Sequence, residues 1–160
     1  GVPGSKVLRW ERRWTEPGGP FIDPAAYPQV SAAMTGTHDT ETLAGWWTDA
    51  APVERRAVAA MLAHAGHTSV DPAEPWGPDV RDALLSAMYL SGSRELFVPV
   101  QAVFGWPDRI NVPALVSDEN WTWRMPWPVD RWAAVPETVA RAAWCARQQA
   151  ARSATSNFEL

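Results

Sequence analysis

Cysteine is almost absent from this sequence, because Cys145 is the only one among its 160 residues. An intrachain disulfide is therefore excluded, and a reducing compartment is compatible with the chain. No apolar run approaches the roughly 20 residues that a membrane-spanning helix needs, and the N-terminus lacks the pattern of a signal peptide. The net charge of −4 argues against a polyanionic partner. We therefore expect a globular chain whose partner is neither a membrane nor nucleic acid.

Motifs that bind cofactors or metals are also missing. The sequence has no glycine-rich phosphate loop and no cysteine pair. His64 and His67 could share a helical face, but Gly66 lies between them and no third ligand is near. We therefore predict no metal and no cofactor, and we interpret His64 as part of the basic last turn of a helix. Cys145 lies among alanine and tryptophan, which is typical of a small apolar filler.

Proline and tryptophan are abundant instead, with 15 and 11 residues respectively. Each proline fixes its own φ and removes a hydrogen-bond donor, so long regular elements are few. Tryptophan rings pack well against the C–H faces of sugars, and the indole N–H can meet a hydroxyl group. Core packing is the more common use of any single tryptophan, so composition alone does not identify a sugar site.

Strands and helices alternate along the chain. Short apolar runs predict strands, and apolar residues repeating every three to four positions predict helices. The strands are predicted at residues 6–10, 30–35 and 96–103, and the helices at 43–47, 52–65, 79–91 and 136–152. Pro99 is a defect inside the third strand, tolerable at an edge or a bulge. The pattern predicts an α/β fold with a parallel sheet over residues 1–152 and a loose tail over 153–160.

The most informative polar motif is Thr-Gly-Thr-His-Asp-Thr-Glu-Thr at residues 35–42, directly after the second predicted strand. This position puts His38 and Asp39 at the carboxyl end of a parallel strand, where active sites of α/β barrels lie. A carboxylate there can accept hydrogen bonds from sugar hydroxyls and stabilise an oxocarbenium-like transition state. An ordinary alternative is that Asp39 caps the next helix, and spacing alone favours that alternative.

Two later motifs also have two interpretations. Asn111, two residues before Pro113, could bind a sugar hydroxyl through its amide or could hold a turn. Trp121 and Trp123 would point the same way in an extended segment. They could then form a stacking platform for sugars or a packed aromatic ladder, and the ladder is favoured on the residues alone.

Taken in order, six segments of the chain resemble the 4-α-glucanotransferases, also called amylomaltases or disproportionating enzymes, of glycoside hydrolase family 77. The resemblance covers residues 1 to about 130, and it lies in the C-terminal part of that family's sequence. The segments are residues 1–11 (Gly-Val-Pro-Gly-Ser-Lys-Val-Leu-Arg-Trp-Glu), 24–28 (Pro-Ala-Ala-Tyr-Pro), 35–47, 98–101 (Val-Pro-Val-Gln), 109–113 (Arg-Ile-Asn-Val-Pro) and 120–124 (Asn-Trp-Thr-Trp-Arg). The family implies a (β/α)8 barrel, of which about three strands are present, so the barrel is incomplete.

The resemblance also implies a reaction and a role for each site residue. Members transfer α-1,4-glucan segments between maltooligosaccharides by a retaining double displacement, in which an Asp attacks and a Glu protonates the leaving oxygen. Asp39 matches the third carboxylate, which stabilises the transition state. His38 would bind the same sugar, Asn111 would face the acceptor, and Trp10 would supply an apolar face. Cytoplasmic glycogen and maltodextrin metabolism are expected from the family alone.

Several positions depart from the family pattern. Thr40 and Glu41 stand where many members have Asn-Asp, and Ala114 replaces a usual glycine in the loop that carries Asn111. The nucleophile and the acid/base residue belong to strands before the matched segment. Five acidic residues are available as replacements, and none lies in a motif that matches either role: Glu11, Glu16, Asp23, Glu41 and Asp49.

These departures predict that the chain alone is inactive and that it associates with itself or with the missing N-terminal part of the barrel. Two alternatives stay open: a truncated, non-catalytic paralogue that serves as a glucan-binding or assembly module, and a chain that repacks into a different, inactive fold.

Overall fold

The structure, a computed structural model, describes residues 2–156 and contains three short parallel strands. They are β1 (Gly4–Val7), β2 (Ser31–Met34) and β3 (Glu95–Phe97), in the sheet order β1-β2-β3. Ala33 pairs with Lys6 on one side and with Leu96 on the other. The predicted parallel sheet is thereby confirmed, and among the described residues it remains open at both outer strands. Gly1, which begins the first matched segment, lies outside the described residues.

Five α-helices accompany the strands within residues 2–156. They are α1 (Leu43–Asp49), α2 (Pro52–His64), α3 (Pro78–Tyr89), α4 (Val100–Phe104) and α5 (Pro136–Ser156). Short 3-10 helices occur at Leu8–Trp10, Pro24–Ala26 and Val129–Ala134. Proline occupies the first turn of α2 and α3, where its missing N–H has no helical partner to lose. None of the helices in this part of the chain is long and apolar enough to cross a membrane.

The third predicted strand is wrong beyond Phe97. Pro99 has φ −55° and ψ 143° and occupies the N-cap of α4, so residues 100–103 are helical instead of extended. The reason is that proline cannot donate to a strand ladder, while its fixed φ suits the start of a helix. The first predicted strand is likewise shorter than expected, because the chain turns into a 3-10 helix at Leu8.

The hydrophobic core lies between the sheet and the first three helices. Trp47, Leu62, Leu84 and Met88 are almost completely buried there, together with Ala33 from the central strand. The other face of the sheet is less covered. Phe97, which pairs with Met34, is 58% exposed on that side. One face therefore carries helices and the other is accessible at Phe97, although Val7 on that face is buried, as expected for part of a barrel wall.

Helix α5 is held to the rest of the chain by two arginines. Arg141 donates to Asp82 at 2.9 Å and to the carbonyl of Val103 at 2.8 Å, and Arg152 donates to the carbonyl of Tyr89 at 2.8 Å. The two arginines are 11 residues apart, about three helical turns, so they lie on one face of α5. Burial, and next the charge of Arg81, lowers the pKa of Arg141, although the Asp82 carboxylate opposes this.

The helix is longer than predicted, because it continues from Arg152 to Ser156. The first four residues of the expected loose tail are therefore helical. Residues 157–160 lie outside the described part of the chain.

Candidate active site

The loop after β2 forms one wall of a pocket open to solvent, whose empty space is about 380 Å³ when the adjoining solvent is included. The residues from Thr35 to Leu43, apart from Asp39, contribute most of this wall, and the opposite side comes from Pro99, from α4 and from residues 108–110. The Thr35 hydroxyl is buried and has no hydrogen-bond partner among residues 2–156. Since β2 ends at Met34, the pocket lies at the carboxyl end of the parallel sheet, which is the edge where α/β enzymes bind their ligands.

Hydrogen bonds within the loop fix its shape. The backbone N–H of Thr37 donates to the Thr40 hydroxyl at 2.9 Å, and that hydroxyl donates back to the Thr37 carbonyl at 3.1 Å. A Cβ on Gly36 would lie 2.7 Å from the Thr40 hydroxyl oxygen, so this close approach requires glycine. The compact turn places His38 in the lining of the pocket and Asp39 beside it, outside the lining, at the rim.

Asp39 is not the cap of the helix that follows. Thr42 occupies the N-cap of α1, and its hydroxyl accepts from the backbone N–H of Gly45 at 3.1 Å. The Asp39 side chain is about half exposed, at 51%. The capping interpretation that spacing favoured is therefore wrong for this residue, and its carboxylate is available for other contacts.

The structure brings the three predicted polar site residues together around that carboxylate. Asn111 donates from Nδ2 to Asp39 Oδ1 at 2.6 Å, and His38 Nε2 lies 3.3 Å from Asp39 Oδ2. The imidazole and the amide thus hold the two oxygens from different sides. Asn111 and Asp39 are 72 residues apart in sequence, so their contact depends on the fold and not on local geometry.

Two arginines that sequence reasoning gave no role complete the rim. Arg109 donates to the backbone carbonyl of Asp39 at 3.0 Å and to that of Asn111 at 3.1 Å. Its Nη1 lies 3.5 Å from Glu41 Oε1, and Arg9 binds the other oxygen of the same carboxylate. Burial, and then the nearby Arg109, lowers the pKa of Arg9, while Glu54 opposes the shift. The signal in the sequence was Arg109 inside the matched segment 109–113, two residues before Asn111.

An exposed tryptophan stands next to His38. The Trp121 ring centroid is 5.2 Å from that of His38, the two planes are inclined by 44°, and Trp121 is 59% exposed. Its φ of 66° is unusual for a bulky residue. The segment is therefore not extended, and Trp123 packs on Trp106 instead, with ring centroids 6.0 Å apart. Trp121 contacts His38 and Trp123 contacts Trp106, so the two rings form neither the expected aromatic ladder nor a common stacking platform.

Trp10 is placed differently from the other predicted site residues. Its side chain is 53% exposed, and its carbonyl accepts from Trp14 Nε1 at 3.3 Å. None of the ring contacts found within residues 2–156 joins it to His38 or Asp39. Trp10 is nevertheless the neighbour in sequence of Arg9, which forms an ion pair with Glu41 at the rim.

Several of the remaining candidate groups have partners away from the rim. Glu11 binds Lys6 at 2.9 Å, and His67 Nε2 lies 2.9 Å from Asp23 Oδ1. Residues 2–156 hold no group of three potential metal ligands close enough to share an ion. The rim around Asp39 is thus the place where the described structure gathers the residues that the motifs predicted.

Comparisons with known proteins agree on one family. A family model described as 4-alpha-glucanotransferase matches residues 1–130. The 4-alpha-glucanotransferase of Thermus thermophilus is 36% identical over 132 residues, which cover 78% of this chain and 24% of that protein. A chloroplastic/amyloplastic 4-alpha-glucanotransferase of Oryza sativa subsp. japonica is 34% identical over 107 residues, covering 66% of this chain and 16% of that protein. The chain therefore spans about a quarter of the length of the curated relatives it matches, or less.

A solved structure is similar over nearly the whole chain. An amylomaltase from Streptococcus agalactiae, determined in complex with acarbose, aligns with a TM-score of 0.70 at 23% identity. The alignment covers 95% of this chain and 27% of that one. At this identity the likeness concerns the fold. It shows that the three parallel strands and their helices form part of a (β/α)8 barrel.

Proposed function

Because this chain belongs to the 4-alpha-glucanotransferase family, we propose that it forms part of an enzyme that transfers α-1,4-glucan segments between maltooligosaccharides. The observation that carries the proposal is the Asp39 carboxylate, held by Asn111 at 2.6 Å and flanked by His38 at the carboxyl end of the sheet. We place this activity in the cytoplasm, where Cys145 would stay reduced.

Asp39 acts in this proposal as the stabilising carboxylate of a retaining double displacement. Its negative charge is fixed by side chains before the sugar arrives, so little reorganisation is needed when positive charge develops at the anomeric carbon. The carboxylate oxygens also accept hydrogen bonds from the sugar hydroxyls. His38 donates to a hydroxyl of the same sugar, and Asn111, on the loop across the pocket, reaches towards the acceptor. Trp10 offers an apolar face further along the rim.

The nucleophile and the acid/base residue come from the rest of the barrel in this proposal. Glu41 lines the pocket, but its two oxygens are bound by two arginines, which suits neither attack nor proton donation. A barrel needs eight strands and typically about 250 residues, whereas the described sheet has three strands. We therefore propose that residues 1–160 alone do not catalyse transfer.

A glucan-binding or assembly module is the second candidate function. It is favoured by the completeness of the Asp39, His38 and Asn111 cluster within this chain, and by the exposed sheet face that carries Phe97. Such a module binds maltooligosaccharides without turnover. It also covers its sheet with the rest of the barrel or with a second copy. Light scattering after size-exclusion chromatography tests this, because a stable, well-folded monomer contradicts the association.

The proposed function is tested by changing the charge of Asp39 in an enzyme that contains the whole barrel. In Asp39→Asn the amide oxygen still accepts from Asn111, so the geometry is kept and the charge is lost. We expect maltotriose disproportionation to fall by about 10²- to 10³-fold, the range for removal of a preorganised electrostatic group. His38→Ala should lose less, because it removes one hydrogen-bonding group and leaves the charge.

The matched control is Asp71→Asn. Asp71 accepts from the backbone N–H of Ala73 at 2.8 Å in a loop far along the chain, and asparagine can accept that bond equally well. Transfer should be unchanged in the control, and both variants should unfold at the wild-type temperature. Near-normal transfer by a folded Asp39→Asn enzyme contradicts the assignment. Residues 1–160, assayed alone, should show no disproportionation.

A further inference from the structure

Glu41 occupies a central place between three separate parts of the chain. It follows β2, whereas Arg9 follows β1, and Arg109 lies in the loop after α4. Each carboxylate oxygen of Glu41 serves one of these arginines: Oε2 binds Arg9, and Oε1 lies 3.5 Å from Arg109. The Glu41 side chain is 39% exposed and those of Arg9 and Arg109 are 23% and 26% exposed, so the group lies at the rim but is partly shielded from solvent.

Arg109 connects this group to the candidate active site. Its guanidinium donates to the backbone carbonyls of Asp39 and Asn111, at 3.0 and 3.1 Å. One planar side chain thus holds the backbones of both residues whose side chains meet at 2.6 Å. Because a guanidinium has its donors in a fixed fork, the position of Arg109 sets the spacing between the two loops.

The two arginines repel each other, and Glu41 is the carboxylate placed between them. Burial together with the charge of Arg109 disfavours the ionised form of Arg9, lowering its pKa. Without Glu41, Arg109 would lose its anionic partner and keep a cationic neighbour. It would then move toward solvent and release the two carbonyls.

We propose that Glu41 is a positioning residue that holds Arg109, and through Arg109 the Asp39–Asn111 pair, in the geometry that binds a glucan. This inference rests on the proposed function only for the identity of the ligand. The effect on the Asp39–Asn111 contact does not depend on any ligand.

The test uses the whole 160-residue chain and reads the Asn111 side-chain amide by 15N NMR. In the wild-type chain one proton of this amide is hydrogen-bonded to the Asp39 carboxylate, with Nδ2 2.6 Å from Oδ1. This proton should therefore resonate downfield and exchange slowly. The signal is assigned by its absence in Asn111→Asp. We expect Glu41→Gln to lose the shift and the slow exchange, and to weaken maltotriose binding by about tenfold, the scale of a charge-assisted hydrogen bond.

Glu16→Gln is the matched control. Glu16 pairs with Arg13 at 3.8 Å and is 51% exposed, so the same chemical change should leave the Asn111 signal and the affinity unaltered. A double-mutant cycle with Arg109→Gln then separates positioning from general stability. If Glu41 acts through Arg109, the double variant binds maltotriose no more weakly than Arg109→Gln alone.

Three results would overturn the inference: an unaltered Asn111 signal in folded Glu41→Gln, unaltered affinity in that variant, or additive losses in the cycle. If Glu41→Gln fails to fold, Arg109→Gln still tests the connection, because it too must lose the Asn111 signature. If the wild-type chain does not bind maltotriose, the proposed glucan site fails for this chain, whereas the amide signal continues to decide the role of Glu41.

Discussion

Alkaline pH should destabilise this chain through a tyrosine in the core. Tyr27 is 4% exposed. Burial, and then the charges of Glu11 and Asp23, raises the pKa of its hydroxyl far above the ordinary value of 10.0. The unfolded chain releases this proton near pH 10, whereas the native state retains it. The hydroxyl therefore has no effect on stability below about pH 10, and above that pH the free energy of unfolding falls.

The size of the effect follows from the linkage between proton binding and folding. One proton held by the native state alone costs up to about 1.4 kcal/mol for each pH unit above the unfolded pKa. By pH 11.5 the loss from Tyr27 should approach about 2 kcal/mol. The other tyrosine, Tyr89, acts in the same direction, because burial and a hydrogen bond with Cys145 raise its pKa.

The perturbation is Tyr27→Phe, measured by urea unfolding from pH 8 to pH 11.5. The Tyr27 hydroxyl makes no hydrogen bond to residues 2–156, so phenylalanine keeps the ring packing and loses only the titrating group. The unfolding free energy of the variant should fall less above pH 10, with the difference growing to about 2 kcal/mol at pH 11.5. Equal slopes for both proteins would refute the reasoning, because they would mean that native Tyr27 ionises as readily as the unfolded residue.

Two further changes test how tightly the barrel segment is packed. In Gly92→Ala the new Cβ would lie 2.4 Å from the carbonyl oxygen of Tyr27, so we expect a loss of about 3 kcal/mol in urea unfolding; Gly77→Ala, whose nearest contact is at 3.8 Å, is the control and a similar loss there contradicts the clash. Arg141→Met removes a largely buried guanidinium, so the Asp82 carboxylate and the Val103 carbonyl lose this hydrogen-bond donor. We expect the thermal midpoint to fall by several degrees, equivalent to about 2 kcal/mol. Arg147→Met changes an exposed arginine of the same helix and should leave the midpoint unaltered. An equal fall in the midpoint of both variants would contradict the conclusion that the buried contacts of Arg141 stabilise the fold.

Periodicity predicted the helices well because their apolar faces are what the core requires. On α2 and α3 most of the apolar residues that repeat every three to four positions are buried, among them Val58, Leu62, Leu84 and Met88. Gly66 follows the C-cap of α2 with φ 74°, a left-handed conformation that glycine adopts readily at helix ends. Residues 98–103 misled the same reasoning, because their apolar run suits a strand and a short buried helix equally well. The helix forms because the backbone of Pro99 occupies the N-cap of α4, and a hydrophobicity pattern does not register this effect.

In the candidate site, likewise, local sequence predicted some features, whereas others depend on contacts between distant residues. The position of His38 and Asp39 after a strand was readable from the sequence. Spacing could not tell that Thr42 caps the helix, since both residue types are good caps. Nor could it place Arg109 against the backbone of Asp39, a contact between residues 70 positions apart. The resemblance to a family identified Asn111, but the hydrogen bond that gives this residue its place depends on how the barrel segment folds.

The strands lie in the sheet in the same order as in the chain, β1-β2-β3. Among these three strands of residues 2–156, each one pairs with the strand made just before it, and none is inserted later between earlier neighbours. During synthesis on the ribosome, where a chain emerges from its N-terminal side, β2 can dock on β1 before α3 has left the exit tunnel. The order of translation and the order of assembly then coincide. The contact between Asp39 and Asn111 forms late, when residue 111 emerges, so the rim is completed only after the wall that supports it.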